Sequence, residues 1–315
     1  TIGREKMEKK FVSVVAYMHN AASYLERFLD VVVESCKNNF EQFELVCVED
    51  ACEDNTMDIL HNYFREKNAG IMVNVIHMSY FQGVETAMNA GRDLAIGDFV
   101  YEFDDIWVDY PEEMILNAYY EILKGYDIVA VRNNCRGRFT SRLFYALFNK
   151  NRRGIEKIGP ETFRIISRRA INRVSSLGKY IPYRKAVYMN CGLKTTTIVY
   201  SGINYSKHLK NHAITSERTG LALDSFIYFT NVLEQLSAII SGVFLAVTVG
   251  TGIYILVDFF SDAKIVEGWV SIMGFMALGF FGVFMLLTII LKYLSVILGL
   301  IFKHQRYLIA DIEKL

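Results

Sequence analysis

Two long stretches without any Asp, Glu, Lys or Arg constrain this chain more than any other feature. They cover residues 236–257 and 268–291. About 20 apolar residues, rising 1.5 Å each, cross the hydrocarbon core of a bilayer, so each stretch is long enough to span it. The alternative is a pair of helices buried in a protein core, which rarely remain uncharged over this length. We therefore expect a transmembrane hairpin within 236–302, with helices at about 234–258 and 268–292.

The flanking segments predict how this hairpin is oriented. Residues 1–10 are polar and no apolar segment of signal-peptide length follows them, so we expect the part before the first span to be cytosolic. Two spans return the chain to the same side. The tail at 303–315 carries Lys303, Arg306 and Lys314, in agreement with an excess of positive charge inside. The sequence thus predicts an integral protein of the cytoplasmic membrane with both termini cytosolic.

Charge is segregated along the rest of the chain. Residues 1–127 hold 24 acidic and 10 basic side chains, a net charge of −14, whereas residues 128–216 hold 2 and 18, a net charge of +16. The basic segment directly precedes a juxtamembrane helix expected at 216–235, where anionic headgroups attract Lys and Arg. Nucleic acid is the competing partner, but no nucleic-acid-binding motif occurs. We expect a lipid bilayer as the partner, with a solvated basic face as the alternative.

Strands and helices alternate over the first 132 residues. Runs rich in β-branched residues predict strands at 11–17, 43–48, 71–76, 98–103 and 127–132, and helical periodicity predicts helices at 22–37, 56–68, 83–96 and 111–124. Such alternation indicates an α/β fold with a parallel, doubly wound sheet. Ligands bind beyond the carboxyl ends of the strands in these sheets, and acidic clusters follow the second and fourth strands.

Residues 139–150 have a different character. Their aromatic and aliphatic side chains share one helical face, and Arg142 and the cations that follow flank it. This composition is typical of an amphipathic helix that lies in the headgroup region of a membrane. A helix that faces a protein core is the alternative.

Several motifs in order resemble family 2 glycosyltransferases of the GT-A fold. They are VEDACEDNT (48–56), GVETAMNAG (83–91), AIGDFVYEFDD (95–105) and YPEEM (110–114). FRIISRRA (163–170), the Arg218-Thr219-Gly220 element and two C-terminal spans are similar to the polyprenyl-phosphate branch that includes dolichol-phosphate mannose synthase. The resemblance implies a GT-A (Rossmann-like, mostly parallel) catalytic domain over 1–215, followed by the membrane hairpin, and homo-oligomers.

The resemblance also implies a nucleotide-sugar donor, linked to UDP or GDP. By matching motif positions, Asn20, Asp50, Gly83 and Asp104 would bind the donor, and Asp104 and Asp105 would be catalytic. A divalent cation, Mg²⁺ or Mn²⁺, would hold the donor diphosphate.

The metal-binding DxD motif of the family is altered in this chain. Its second acid falls at Ile106. Glu102 and Asp104 would point to one face of a strand, since alternate residues do, and could hold the cation as an ExD pair. The neighbours Asp104 and Asp105 are the other candidate pair. Glu102 or Asp105 could instead only cap a loop, so the sequence leaves the metal requirement open.

Acceptor binding is implied by the basic segment. Residues 128–216 contain only Glu156 and Glu161 as candidate bases, and a hydroxyl acceptor needs a base, whereas a phosphate is already anionic. Guanidinium groups suit phosphate. The resemblance assigns the acceptor phosphate to a set of four arginines, namely Arg132, Arg138, Arg142 and Arg164.

These observations predict a membrane-bound, inverting glycosyltransferase. It would transfer a single sugar from a nucleotide sugar to polyprenyl (undecaprenyl) phosphate on the cytosolic leaflet. One alternative is a glycosyltransferase that acts on a saccharide hydroxyl in cell-surface polysaccharide assembly. The other is a catalytically inactive membrane scaffold of the same fold.

Overall fold

A computed structural model of the chain describes residues 7–67, 70–134, 161–177, 183–202, 268–302 and 307–315, with a few further positions between 239 and 253. The chain forms two compact units. The first comprises Thr1–Asn149, Arg153–Ala222 and His304–Leu315, and the second comprises Lys150–Arg152 and Leu223–Lys303.

In the first unit, the predicted alternation of strands and helices is confirmed. The strands are β1 (Val12–Met18), β2 (Phe43–Glu49), β3 (Met72–Met78), β4 (Phe99–Phe103) and β5 (Ile128–Asn133), and the helices between them are α1 (Leu25–Asn39), α2 (Thr56–Lys67), α3 (Val84–Leu94) and α4 (Glu113–Leu123). The later elements are β6 (Phe163–Ser167), α5 (Arg168–Leu177), α6 (Arg184–Asn190), β7 (Thr195–Tyr200) and β8 (Ile309–Lys314).

The eight strands of the described residues form one mixed sheet in the order β7-β5-β6-β4-β1-β2-β3-β8. The strands β1 to β4 run parallel, as predicted. The sheet is mostly parallel, as predicted, but two strands that were not predicted make it mixed: β6 lies antiparallel between β4 and β5, and β8 lies antiparallel against the outer edge of β3. Strand patterns in a sequence indicate burial but do not fix the direction of pairing.

The sheet is covered on both faces, which explains why its central strands β1 and β2 are buried along almost their whole length. Alternate residues of β1 enter different clusters, with Val14 packed among residues of α1 and α4 and Val15 packed among residues of α3 and α5. Helix α3 lies very close to the sheet. A Cβ at Gly91 would stand 2.4 Å from Val15 Cγ1 and 2.6 Å from Val48 Cγ2, so glycine permits this contact.

The second unit contains one long helix, α7 (Trp269–Phe302), in which Lys292 is the single charged residue. Large apolar side chains of this helix are exposed, including Phe281 and Phe284. Its side chains are described without a break only over 278–294. Within the described residues, no helix combines the length and apolar character needed to cross a membrane.

Several predicted segments fall outside the described residues. These are the amphipathic helix at 139–150, the Arg218-Thr219-Gly220 element, the juxtamembrane helix at 216–235 and most of the first predicted span at 234–258.

Candidate functional site

The carboxyl ends of β1 and β2 meet at Asp50. The two strands pair with Met18 opposite Glu49, so the residues that follow them are neighbours. Asp50 is completely buried. Its Oδ1 accepts a hydrogen bond from the backbone N–H of Gln82 at 2.8 Å. Its Oδ2 accepts from the backbone N–H of Gly83 at 2.8 Å and from the Tyr17 hydroxyl at 3.1 Å.

Asp50 is therefore a desolvated carboxylate in a fixed orientation. Burial raises its pKa above the ordinary value, although the N–H groups of Gln82 and Gly83 and the Tyr17 hydroxyl act in the opposite direction. A carboxylate offers about four lone-pair sites, and the three donors leave capacity for one more. Asp50 thus keeps a lone pair for one further donor, which reaches this buried carboxylate once a neighbouring group moves aside.

Two residues beside Asp50 have left-handed backbone conformations. Asn20 has φ of 51° and Ala51 has φ of 52°. Such conformations cost a non-glycine residue about 1–3 kcal/mol and concentrate at functional sites. The Asn20 side-chain oxygen accepts from the backbone N–H of Glu53 at 2.8 Å, which ties the end of β1 to the loop after β2.

An aromatic pair adjoins this corner. His19 donates through Nδ1 to the carbonyl oxygen of Asp50 at 2.6 Å. Its ring centroid lies 4.6 Å from that of Phe81, with the planes tilted by 50°. A buried carboxylate beside two rings is an environment that suits a nucleoside, which offers both polar groups and a flat base.

The second acidic cluster, at the end of β4, forms an ion network with two arginines. Arg164 donates through Nη1 to Glu102 at 2.8 Å and through Nη2 to Asp104 at 2.6 Å. Arg184 donates through Nη1 to Glu102 at 3.0 Å and through Nη2 to Asp104 at 2.5 Å. Glu102 and Asp104 therefore share the same two guanidinium groups.

Three further side chains close this network. Glu161 accepts from Arg164 Nε at 2.9 Å, and Glu85 accepts from both Nε and the backbone N–H of Arg184 at 2.9 Å. The Tyr188 hydroxyl donates to the other oxygen of Glu102 at 2.7 Å.

The charge balance decides the state of Asp104. Burial by itself would raise the pKa of Asp104. The Arg164 and Arg184 guanidiniums outweigh burial and hold that pKa well below its ordinary value. Asp104 is thus ionised and paired.

The described residues do not fit a bound divalent cation. Glu102 is fully buried and both Asp104 oxygens accept from arginine. Asp105 accepts from the backbone N–H of Trp107 at 3.1 Å, and Ile106 is buried in the apolar core. Among the described residues, no three His, Cys, Asp or Glu side chains are grouped to hold a metal. Dependence on Mg²⁺ or Mn²⁺ stays a prediction.

The four predicted acceptor arginines have different positions. Arg132 is exposed near the carboxyl end of β5. Arg164 is only 2% exposed and is bound to three carboxylates. Arg138 and Arg142 lie outside the described residues.

Sequence reasoning missed Arg184, Tyr188, His19 and Gln82. Arg184 is one of many cations in a basic segment, and nothing in the local pattern distinguishes it. Glu85 offered the available signal, because an acid on the buried face of α3 requires a cationic partner.

Comparison with known proteins identifies the family. The sequence model described as "Glycosyl transferase family 2" matches residues 13–187 of this chain. A glycosyltransferase of Synechocystis sp., itself uncharacterized, is 27% identical over 197 residues, which is 60% of each chain. Undecaprenyl-phosphate 4-deoxy-4-formamido-L-arabinose transferase of Proteus mirabilis is 30% identical over 132 residues, or 42% of this chain and 39% of the relative. The chain thus spans less than two thirds of the length of these curated relatives.

A solved structure has the same fold. The mannosyltransferase from Pyrobaculum calidifontis, in complex with GDP-Man and Mn²⁺, superposes with a TM-score of 0.52. The superposition covers 95% of this chain and 89% of the mannosyltransferase, at 14% sequence identity. This likeness concerns the GT-A fold.

Proposed function

The chain belongs to glycosyl transferase family 2, and we propose that it transfers one sugar from a nucleotide sugar to polyprenyl phosphate at a membrane. The acceptor would be undecaprenyl phosphate on the cytosolic leaflet, and the donor would be linked to UDP or GDP. The observation that carries the choice of acceptor is the closed pairing of Glu102 and Asp104 with Arg164 and Arg184.

The donor pocket is formed at the carboxyl ends of β1 and β2. Asp50 is oriented to accept a hydrogen bond from the nucleoside, and the rings of His19 and Phe81 offer surfaces for its base. Asn20 holds the end of β1 against the loop after β2, so it shapes this pocket.

The arginine pairs favour a phosphate acceptor over a hydroxyl. A hydroxyl requires a base to take its proton, but the oxygens of Glu102 and Asp104 already accept from arginine or tyrosine. Within the described parts of the basic segment, 128–134, 161–177 and 183–202, Glu161 is the only acid, and it is bound to Arg164. A phosphate monoester needs no base, because it is anionic before it reacts.

The reaction follows from this choice. An oxygen of the acceptor phosphate would attack the anomeric carbon on the face opposite the donor diphosphate. The new carbon–oxygen bond forms as the bond to the diphosphate breaks, so the configuration inverts and nucleoside diphosphate leaves. The exposed Arg132 would hold the acceptor phosphate, as would Arg138 and Arg142, which lie outside the described residues.

The membrane part of the proposal is supported by composition and by the relatives. Helix α7 exposes Phe281 and Phe284 and contains a single charge. The relative from Proteus mirabilis carries undecaprenyl phosphate in its name. We place the catalytic unit and both termini in the cytosol, with a hairpin at 236–302 in the cytoplasmic membrane and the protein as a homo-oligomer.

Purified full-length protein in lipid nanodiscs, incubated with undecaprenyl phosphate and a panel of UDP- and GDP-sugars, tests the proposal. We expect one donor to give a lipid-linked sugar and free nucleoside diphosphate, detected by mass spectrometry. Transfer to a saccharide hydroxyl and to no lipid would refute the phosphate acceptor and favour polysaccharide assembly. Donor binding without transfer or hydrolysis, with and without added Mn²⁺, would identify an inactive scaffold.

A further inference from the structure

The loop between β3 and α3 fixes the orientation of Asp50. We refer to residues 79–83 as the donor loop. Its last two residues, Gln82 and Gly83, donate their backbone N–H groups to the two oxygens of Asp50. Gly83 has φ of 85°, a conformation that glycine adopts without strain. Any movement of the donor loop would therefore change the position of the buried carboxylate.

The donor loop is held on its other side by a segment far away in the sequence. Gln82 donates through its side-chain amide to the carbonyl oxygen of Leu308 at 2.6 Å, and its amide oxygen accepts from the Leu308 N–H at 2.9 Å. The Leu308 carbonyl oxygen also accepts from the backbone N–H of Ser79 at 3.1 Å. One residue thus connects to both ends of the loop, and 226 positions separate it from Gln82.

The segment that contains Leu308 is itself firmly attached to the sheet. It continues into β8, which pairs with β3 from Met78 to Asn74. The Tyr307 hydroxyl donates to Asp93 on α3 at 3.2 Å, and Glu313 lies 3.1 Å from His61 and 3.3 Å from His77. Strand β3 and helix α3 flank the donor loop, so residues 307–315 brace the loop and both of its neighbours.

We propose that residues 307–315 form a positioning element for the donor site, in which Gln82 connects Leu308 to the loop that orients Asp50. This inference rests on the proposed function, because it assigns donor binding to Asp50. The side chain of Gln82 is the positioning group, while its backbone N–H contacts Asp50 directly.

Two variants weaken the connection and leave the contacts to Asp50 in place. Gln82→Ala removes both side-chain hydrogen bonds to Leu308 but keeps the backbone N–H of position 82. Leu308→Pro removes one of the two, the bond donated by the Leu308 N–H, and keeps the Leu308 carbonyl oxygen. Deletion of 307–315 is avoided because it would expose the edge of β3. Gln42→Ala, at an exposed glutamine, and Leu308→Ala, which keeps its N–H, are the matched controls.

The first measurement is the affinity of the full-length protein for UDP and for GDP, by calorimetry. Each variant should raise the Kd of the nucleotide that the wild type binds by about two- to tenfold, while kcat at saturating donor stays unchanged. In the double variant, the fold rise in Kd should be smaller than the product of the two single rises. Both substitutions remove the same hydrogen bond, from the Leu308 N–H to the Gln82 amide oxygen. The two controls should match the wild type.

The second measurement is hydrogen exchange of the protein without nucleotide, which does not depend on the proposed function. The backbone amides of positions 82 and 83 should exchange about two- to tenfold faster in both variants. The exchange rates of the β2 amides should stay at their wild-type values. If loop exchange and nucleotide affinity both stay at wild-type values, the proposal is wrong. Faster exchange with unaltered affinity also overturns it, because the loop would then not position the donor. If the wild type binds neither nucleotide, the proposed function fails, and faster loop exchange still supports the positioning of Asp50.

Discussion

Arg164 and Glu102 are direct register partners on antiparallel strands, and the guanidinium of one donates to the carboxylate of the other at 2.8 Å. Both side chains are almost fully buried, at 2% and 0% exposure. Burial of two charges in a core is unfavourable unless each has a close partner. The pairing of β6 with β4 supplies that partner and fixes the position of Asp104, which follows on the same face.

Loss of one member of this pair should be strongly destabilising. Arg164→Met leaves Glu102 and Asp104 with one guanidinium between them, and we expect the free energy of unfolding to fall by about 3–5 kcal/mol. Denaturant unfolding of the protein in detergent measures this free energy. Lys10→Met, which removes an ion pair with Asp98 in which both side chains are exposed, is the control and should have a far smaller effect. Equal effects of the two substitutions would contradict the role given to the buried network.

Asp50 should determine nucleotide affinity. In Asp50→Asn, the side-chain NH₂ group takes the place of an oxygen and faces the backbone N–H that donated to this oxygen in the wild type. The charged acceptor for the nucleoside is also lost. We expect the Kd for UDP or GDP to rise at least about tenfold, since a hydrogen bond to a charged group contributes about 1.5–3 kcal/mol. Asp58→Asn, on the exposed face of α2, should leave the Kd unchanged. A normal Kd in Asp50→Asn would place the nucleoside elsewhere.

The protein without nucleotide should not bind Mn²⁺ at the end of β4. A cation there would have to displace Arg164 and Arg184 from Asp104, against their charge. Titration of Mn²⁺ followed by electron paramagnetic resonance should show the signal of the free ion. Stoichiometric binding that Asp104→Asn abolishes would show that the carboxylates do accept a cation.

Arg132 should contribute to the binding of the acceptor and not to the binding of the donor. Its exposed guanidinium is available for a phosphate at the carboxyl end of β5. We expect Arg132→Ala to raise the KM for undecaprenyl phosphate about tenfold, the loss of a charge-assisted hydrogen bond, with the donor KM unchanged. Arg173→Ala, at an exposed arginine of α5, serves as the comparison and should alter neither KM. Equal changes in both values for Arg132→Ala would argue against an acceptor site.

Gly91 should be intolerant of any side chain. Gly91→Ala places a methyl group 2.4 Å from Val15 and 2.6 Å from Val48, inside van der Waals contact, so we expect a loss of about 1–3 kcal/mol in stability. Gly279→Ala, also within a helix, tests whether the substitution itself is harmful, since among the described residues no atom beyond the helix's own nearby backbone lies within 4 Å of the added Cβ. Thermal unfolding of the two variants, followed by circular dichroism, separates crowding from helix propensity.

The first five strands could be predicted because each is a short, mostly apolar run rich in β-branched or aromatic residues, and helical periodicity separates one run from the next. Every residue of β1 is buried, and this pattern is visible in the sequence. The strand β8 could not be predicted in this way. None of its six residues is buried, and its partner β3 lies more than 200 positions earlier, so no local pattern indicates their pairing.

The site shows the same division. Asp50 and Asp104 could be located because each follows a buried strand of a parallel sheet. The pairing of Asp104 with Arg184 could not be predicted. Arg184 lies on α6, 80 positions after Asp104, and only the fold brings this helix to the end of β4. The sequence pattern of alternating residues correctly grouped Glu102 with Asp104, but it could not reveal which cation they share.

The position of β8 also sets the order in which this protein can be completed during synthesis. Strand β3 leaves the ribosome early, whereas its antiparallel neighbour β8 follows α7 and is translated after it. The outer edge of β3 therefore stays unpaired while the residues of the second unit are made, and an unpaired edge is a site for aggregation. The sheet closes only after the chain has passed through Trp269–Phe302. Completion of the catalytic unit is thus tied in time to synthesis of the helix that we assign to the membrane.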